Sequence, residues 1–378
     1  MNKEFSIRDF ALVISLALVW IFFYFMDPHF IGSRNLTNLA IEFSMASILA
    51  LGMLLIILSG EIDLSVGSGV GLAGGIACVL IMKEDPVAAP LAMLIATISV
   101  VALWFLMGKL ITSQGVPSFI ITLGGMLIFK GLFFKVINNE TVSVTNGTED
   151  NALSILTIHY FPGWQSLLIF AVVAALLYFS MLQKRKREKE FGFELEEFEK
   201  SFLKVFVVIQ SLLLMTLVMN KNKGVPLSFL ILGIAALLIH TLIKHTAFGR
   251  HLYAIGGNKE AAEISGINVK KTVTMAFVIL GVIVAITGFL QVAYQGSSTN
   301  TIGEYMELDA IAACVIGGVS LSGGRGSVGG VLMGSLLMAS LLNGMALLAW
   351  PTPDKFIARG AVLVLAVWMD VYLNKGKK

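Results

Sequence analysis

The chain has 378 residues, 57% of them apolar and only 13% charged, with a formal net charge of +3 and a mean hydropathy of +0.86. A soluble domain carries about 25% charged residues, so this composition excludes one. The small positive excess sits in loop-end topology markers and implies no nucleic-acid partner.

Twelve apolar segments follow one another, near residues 10–26, 38–58, 66–82, 88–110, 117–137, 164–182, 203–219, 226–243, 272–295, 306–320, 327–348 and 355–373. The longer ones match the length that a helix needs to cross the hydrocarbon core, whereas 66–82 and 306–320 are short for a full span. The first, Phe10 to Met26, is too long for a removable signal and lacks a small-residue cleavage site, so it reads as an anchor. Weak alternation of polarity and abundant Gly and Leu argue against a membrane barrel. The fold class is therefore all-α: a single polytopic helical membrane domain over 1–378, with broken or half-length helices and a weak internal repeat. Cys78 and Cys314 lie in apolar segments and imply neither a disulfide framework nor a zinc site.

Basic residues orient the segments. The stretch from Asn138 to Gly163 holds Glu140, Glu149 and Asp150 but no Lys or Arg, which places it outside. The charged loop 184–200, opening on KRKREK, belongs inside, as do the block 246–271 and the terminal Lys375, Lys377 and Lys378. With Lys3 and Arg8 at the start, both termini come out cytoplasmic, which requires an even number of crossings. Lys221 and Lys223, on a short outer turn, run against the rule. Loop 184–200 carries six basic and six acidic residues and reads as a solvated helix with opposite charges three or four apart.

Two Gly-rich interruptions echo each other: LSGEIDLSVGSGVG from Leu58 and IGGVSLSGGRGSVGG from Ile316. GVPSFI at Gly115 likewise echoes GVPLSFL at Gly224. Such pairs in corresponding halves point to discontinuous helices lining a pathway, with Glu61, Asp63, Ser65, Gly67, Asp309, Gly323 and Gly324 as the candidate residues. Close helix packing through small residues is the alternative reading. An ionisable group at a helix centre costs at least about 2.5 kcal/mol in the bilayer, so Glu61 and Asp63 should face water, a partner or a cavity. A carboxylate there suits sugar hydroxyls, but Asp63 equally suits a cap accepting from the amides of Ser65 or Val66, and the cap is its primary expected role. Glu307 and Asp309 suit the N-terminus of the 306–320 helix, while Lys130 and Arg359 sit in apolar runs and need partners that the sequence does not name.

The polar block Thr246 to Lys271, TAFGRHLYAIGGNKEAAEISGINVKK, stands between two long apolar runs. Asn258 can cap a short helix over Lys259 to Ser265, Gly266 supplies a left-handed stop, and Asn268 caps the helix that follows. A helix of under two turns is unstable alone, so it needs contacts at its ends or a partner. Glu260 and Glu263 are expected to face solvent, with Ala261, Ala262 and Ile264 as a small, close-approach surface. That is the shape of a docking knob, against the plainer reading of an ordinary loop. No Gly-x4-Gly-Lys-Ser/Thr loop, His-x-x-x-His, Cys-x-x-Cys or Gly-x-Ser-x-Gly arrangement occurs, so the chain has no motif for ATP hydrolysis or covalent chemistry.

Glu260-Ala261-Ala262 followed by Ser265-Gly266-Ile267-Asn268 resembles the coupling loop of ABC-importer membrane subunits, and most of all the permeases for ribose, xylose, galactose and related sugars. GEIDLSVGSGVG at Gly60, GVPSFIITLGGM at Gly115 and ELDAIAACVIGGVSLSGGRGSVGG at Glu307 fit the same family in the same order, and the stretch from Asn343 to Asp370 resembles the xylose branch. The resemblance implies that Asn258, Lys259, Glu260, Ala261, Ala262, Glu263 and Gly266 couple to a separate ATPase subunit. ATP and magnesium would bind on that subunit, and this chain would carry no cofactor. It further implies a second permease subunit in a homodimer, a periplasmic or lipid-anchored sugar-binding protein, and a place in the bacterial cytoplasmic membrane. Nucleoside and branched-chain amino acid permeases of the same family are less similar at IDLSVGS and GGNKEAAEISGIN. A rival of another class, an ion-coupled secondary transporter, would use Glu61, Asp63 and Asp309 as its relay.

Overall fold

The structure, a computed structural model, describes residues 7–83, 85–147, 149–192 and 197–375. The topology markers Lys3, Lys377 and Lys378 and the 193–196 part of the charged loop lie outside the described residues.

The helices in chain order are α1 (Ile7–Met26), α2 (Ser33–Leu58), α3 (Val66–Ile81), α4 (Ala89–Gln114), α5 (Ser118–Val136), α6 (Ile155–Ile158), α7 (Trp164–Glu190), α8 (Phe198–Asn220), α9 (Leu227–His245), α10 (Ala247–Gly257), α11 (Lys259–Ile264), α12 (Val269–Gln295), α13 (Met306–Ile316), α14 (Val328–Leu347) and α15 (Thr352–Lys375). Apart from α6, α10 and α11, they take up the twelve apolar segments one for one. Among the described residues, eight of these helices are long and apolar enough to cross a membrane by themselves. The chain is thus a polytopic helical membrane protein. The short segments are short in fact: α3 rises about 24 Å and α13 about 17 Å at 1.5 Å per residue.

Local signals set the boundaries. Gly115, at φ +69°, stops α4, and Pro117 stands at the N-cap of α5. Gly296, at φ +71°, stops α12. Helix α13 ends at Ile316, ahead of the expected 320, because Gly318 follows at φ +92° and the Val319 N–H turns back to the Cys314 carbonyl at 2.9 Å. Helix α7 runs on past 182 to Glu190, carrying the basic run as a continuation of the span, with Lys184–Glu188 and Lys186–Glu190 ion pairs one turn apart.

Helix α2 is the axis of the core, with Ile48 to Leu58 almost wholly enclosed, and α9, α12, α13 and α14 pack around it, while α3 packs between α4, α5 and α12. Helix α3 is enclosed by its neighbours through its glycines. Side chains at Gly69, at Gly71 and Gly75, and at Gly74 would meet Trp104, Phe133 and Val292 respectively. Small residues that let helices approach closely are the main source of association in a bilayer, where the tails are as apolar as leucine. The α7–α8 pair is peripheral and mostly exposed along its length.

At one end of the bundle lie α10 and α11. At the far end, two strand pairs tie the connecting loops: β1 (Val142–Ser143) runs antiparallel to β4 (Ser297–Ser298), and β2 (Tyr160–Phe161) to β3 (Val225–Pro226). Lys223, which ran against the charge rule, lies over the Tyr160 ring at 5.2 Å.

Candidate functional site

Three segments distant in sequence converge at the end that carries the polar block. The Gly324 N–H donates to the Leu58 carbonyl at 3.0 Å, joining the two Gly-rich interruptions that echo each other in sequence. Gly323 and Gly324, at φ +85° and +72°, lie against Gly256 of α10. A Cβ on Gly256 would overlap both the Leu58 carbonyl and the Gly324 amide. The Tyr253 hydroxyl donates to the Gly326 carbonyl at 2.8 Å. Helix α10, capped by Thr246 and burying Gly249, Leu252 and Ile255, is therefore wedged onto both breaks at once.

The polar block continues outward from that wedge. Asn258 Oδ1 accepts from the Ala261 N–H at 2.9 Å and starts α11. Gly266, at φ +83°, follows its C-cap Ser265, and the Ile267 N–H returns to the Ala262 carbonyl at 3.0 Å. Asn268 Oδ1 accepts from the Lys271 N–H at 2.9 Å, starting α12. One expected surface residue is misplaced: Ala262 is 4% exposed and packs inward against the chain's own core. Lys259, Glu260, Ala261 and Glu263 are exposed, and Ile264 stands 88% exposed at the tip.

The first break is held by side chains. The Ile62 N–H donates to Ser118 Oγ at 3.1 Å, and Thr122 Oγ1 donates to the Ile62 carbonyl at 3.2 Å. Asp63 is fully buried; its Oδ1 accepts from the Ser65 N–H at 2.7 Å and the Ser65 hydroxyl at 2.6 Å, and its Oδ2 from the Trp104 indole N–H at 2.8 Å. The N-cap position of α3 belongs to Ser65, two residues further on, so Asp63 pins the cap residue and does not occupy the cap itself. Glu61 is half-buried beside Gly60, whose own neighbour is the Ser322 carbonyl. Gly67 packs on the start of α13, where a Cβ would overlap Glu307 and the Gly303 carbonyl; a leucine there would displace that crossing before it could obstruct a pathway.

An expected result follows for Asp63. Its asparagine variant keeps an acceptor for Ser65 but turns an NH2 toward the Trp104 N–H, leaving two donors face to face. An unsatisfied buried group costs about 1–3 kcal/mol, so Asp63→Asn lowers thermal stability and Trp104→Phe in the same chain recovers part of the loss. Thermal unfolding in detergent measures both; an additive double mutant counts against the contact.

The far end supplies the partners that the sequence left unnamed. Arg359 Nη2 lies 3.2 Å from Asp309 Oδ2, and Lys130 Nζ lies 3.6 Å from Glu304 Oε1. Among the described residues Asp309 and Asp63 share no partner, so the residues of the expected ion relay are not brought into one chain of hydrogen bonds there. Two features escaped the sequence reading. Glu42, inside α2, accepts from Tyr294 and from Asn343, which in turn accepts from Asn35; an ionisable residue within an apolar run was the signal. Gly256 was passed over because a glycine at a helix end reads as punctuation until the backbone it touches is known.

Broken helices joined by small residues, ion pairs between apolar helices and a polar helical block seated on both breaks mark a multi-pass helical membrane protein. The chain belongs to the family described as branched-chain amino acid transport system / permease component, which it matches over residues 35–367. It is 38% identical over 377 residues to the xylose transport system permease protein XylH of Haemophilus influenzae, covering 99% of this chain and 98% of that protein. It is 38% identical to the XylH of Escherichia coli strain K12 (97% and 93% covered) and 31% identical to the ribose import permease protein RbsC of the same strain (95% and 91% covered). No solved structure matches the chain significantly.

Proposed function

We propose that the chain is the membrane-spanning permease subunit of a bacterial ABC importer for a monosaccharide, xylose or a related pentose or hexose. The observation that carries this reading is the near-full-length similarity to xylose permeases, 38% over 99% of the chain. The exposed α11, with Ile264 at its tip, supports a docking role toward a separate ATPase subunit that holds ATP and magnesium. A second permease, forming a homodimer, and a periplasmic or lipid-anchored sugar-binding protein complete the importer. ATP-driven closure pushes on Lys259 to Gly266, and α10 carries the push to both breaks, so that the bundle alternates between outward and inward openings. The α10–α11 end is cytoplasmic, the strand-paired end is outside, and both termini are cytoplasmic.

Branched-chain amino acids stand in the family description and are the second reading. Labelled xylose, ribose, galactose, isoleucine and uridine are offered to cells expressing the chain with its ATPase and binding protein. Uptake of a pentose or hexose that depends on the ATPase is the expected result; uptake of isoleucine or uridine alone, or sugar uptake without the ATPase, overturns it. Sidedness is checked in the same cells. With Cys78 and Cys314 replaced, cysteines at Glu149 and Gly192 react with an impermeant thiol reagent from opposite sides.

A further inference from the structure

Near the far end, α3, α5, the loop before α13 and the start of α13 enclose a cavity of about 370 Å³. Its size falls at the small end of the roughly 300–1,000 Å³ typical of small-molecule sites. Its polar lining is Ser68, Lys130, Asn300, Glu304 and Glu307, set among leucines and the rings of Phe133 and Tyr305. Glu307 is 8% exposed, and its carboxylate is turned back on its own backbone N–H. The Lys130–Glu304 pair at 3.6 Å is loose and half exposed, leaving donors and acceptors free for a guest.

The placement of these groups says what faces them. A lysine turned to hydrocarbon costs at least about 2.5 kcal/mol, and Lys130 lies within α5 on the same side of the bundle as Glu304, Glu307 and the Asp309–Arg359 pair. That face is therefore turned to water or to another subunit. Carboxylates and an amide accept from hydroxyls, lysine and the amide donate to them, and neither needs a charged guest. Aromatic rings offer flat apolar surface for the C–H faces of a sugar ring. Ligand sites of this kind combine an apolar wall with a few convergent polar groups.

We propose that this cavity is a waypoint that holds one neutral, polyhydroxylated solute, a monosaccharide, during its passage through the permease. The inference rests on the reading of the chain as a sugar permease, and it moves the substrate contacts from Glu61 and Asp63 to Glu307, Lys130 and Asn300. Glu307 accepts from ring hydroxyls, Lys130 and Asn300 donate to them, and Ser68 sets the floor on α3.

The test uses the assembled importer in lipid vesicles, with Cys78 and Cys314 replaced and Ser68→Cys as the reporter, a nearly isosteric change. A small water-soluble thiosulfonate should label it, and the sugar that the wild-type vesicles take up should slow labelling at least threefold at tens of millimolar, while isoleucine should not. A cysteine at Glu149 in the outer loop should label at one rate throughout, which removes viscosity as the cause. In Glu307→Gln the protection should weaken and the half-saturating sugar concentration for uptake should rise several-fold. A Ser68→Cys that does not label, or labels equally fast with the transported sugar, overturns the waypoint while sugar uptake keeps the permease assignment standing. Vesicles that take up isoleucine and no sugar overturn both.

Discussion

Glu260→Lys combined with Ile264→Glu is expected to abolish sugar uptake and sugar-stimulated ATP hydrolysis while leaving the protein in the membrane at normal abundance. Both side chains point away from the chain, with Ile264 at 88% exposure, so nothing in the bundle depends on them. In the docking role proposed above, Ile264, almost fully exposed at the tip of a six-residue helix, is the anchor that would enter a partner's pocket. Placing a carboxylate there would leave an unpaired charge in the contact, and Glu260→Lys reverses the charge that the loop presents to its partner. A tenfold loss corresponds to about 1.4 kcal/mol, and buried anchors commonly exceed that, so uptake should fall at least tenfold. Ala262→Trp is the wrong probe of docking, because Ala262 faces the core and a large ring there disrupts the chain itself. Full uptake by the Glu260, Ile264 double variant, with the ATPase present, would sink the docking assignment.

The second large effect is expected at Gly256. A valine there must push aside the Leu58 carbonyl and the Gly324 amide, which are backbone and cannot swing away as a flexible side chain can. Overpacking of this kind costs about 1–3 kcal/mol, and here it falls on a contact where α10 meets both breaks at once. Gly257→Val is the matched control, since no atom lies within 4 Å of its Cβ position. Gly256→Val should lose uptake and show ATP hydrolysis that no longer responds to the loaded binding protein, although the ATPase still co-purifies. Gly257→Val should keep most of both activities. Equal behaviour of the two variants in vesicle uptake and ATPase assays would remove α10 as the transmitting element. Failure of the ATPase to co-purify with Gly256→Val would also count against it, since the defect would then lie in assembly.

The sequence by itself determined the class and the segment plan. Composition forced a membrane solvent, and length then fixed twelve helical segments, because a bilayer leaves a backbone no alternative to internal hydrogen bonding. It also determined the caps of the polar block, since Asn258, Gly266 and Asn268 act on amides within a few residues and need no tertiary partner. What only the tertiary structure decided was the company each polar or small residue keeps. Asp63 read as a helix cap or a sugar contact until Trp104, in another helix, supplied the second donor. Lys130 and Arg359 had no partners until α5 met the loop before α13 and α13 met α15. Ala262 read as surface because a six-residue helix has too few positions for its period to reveal which side is covered. The two Gly-rich interruptions resembled each other as strings, but their contact through Leu58 and Gly324, with Gly256 seated between them, is a fact of folding. Close backbone approach is set by the path of three separate chains, and local pattern carries no record of it.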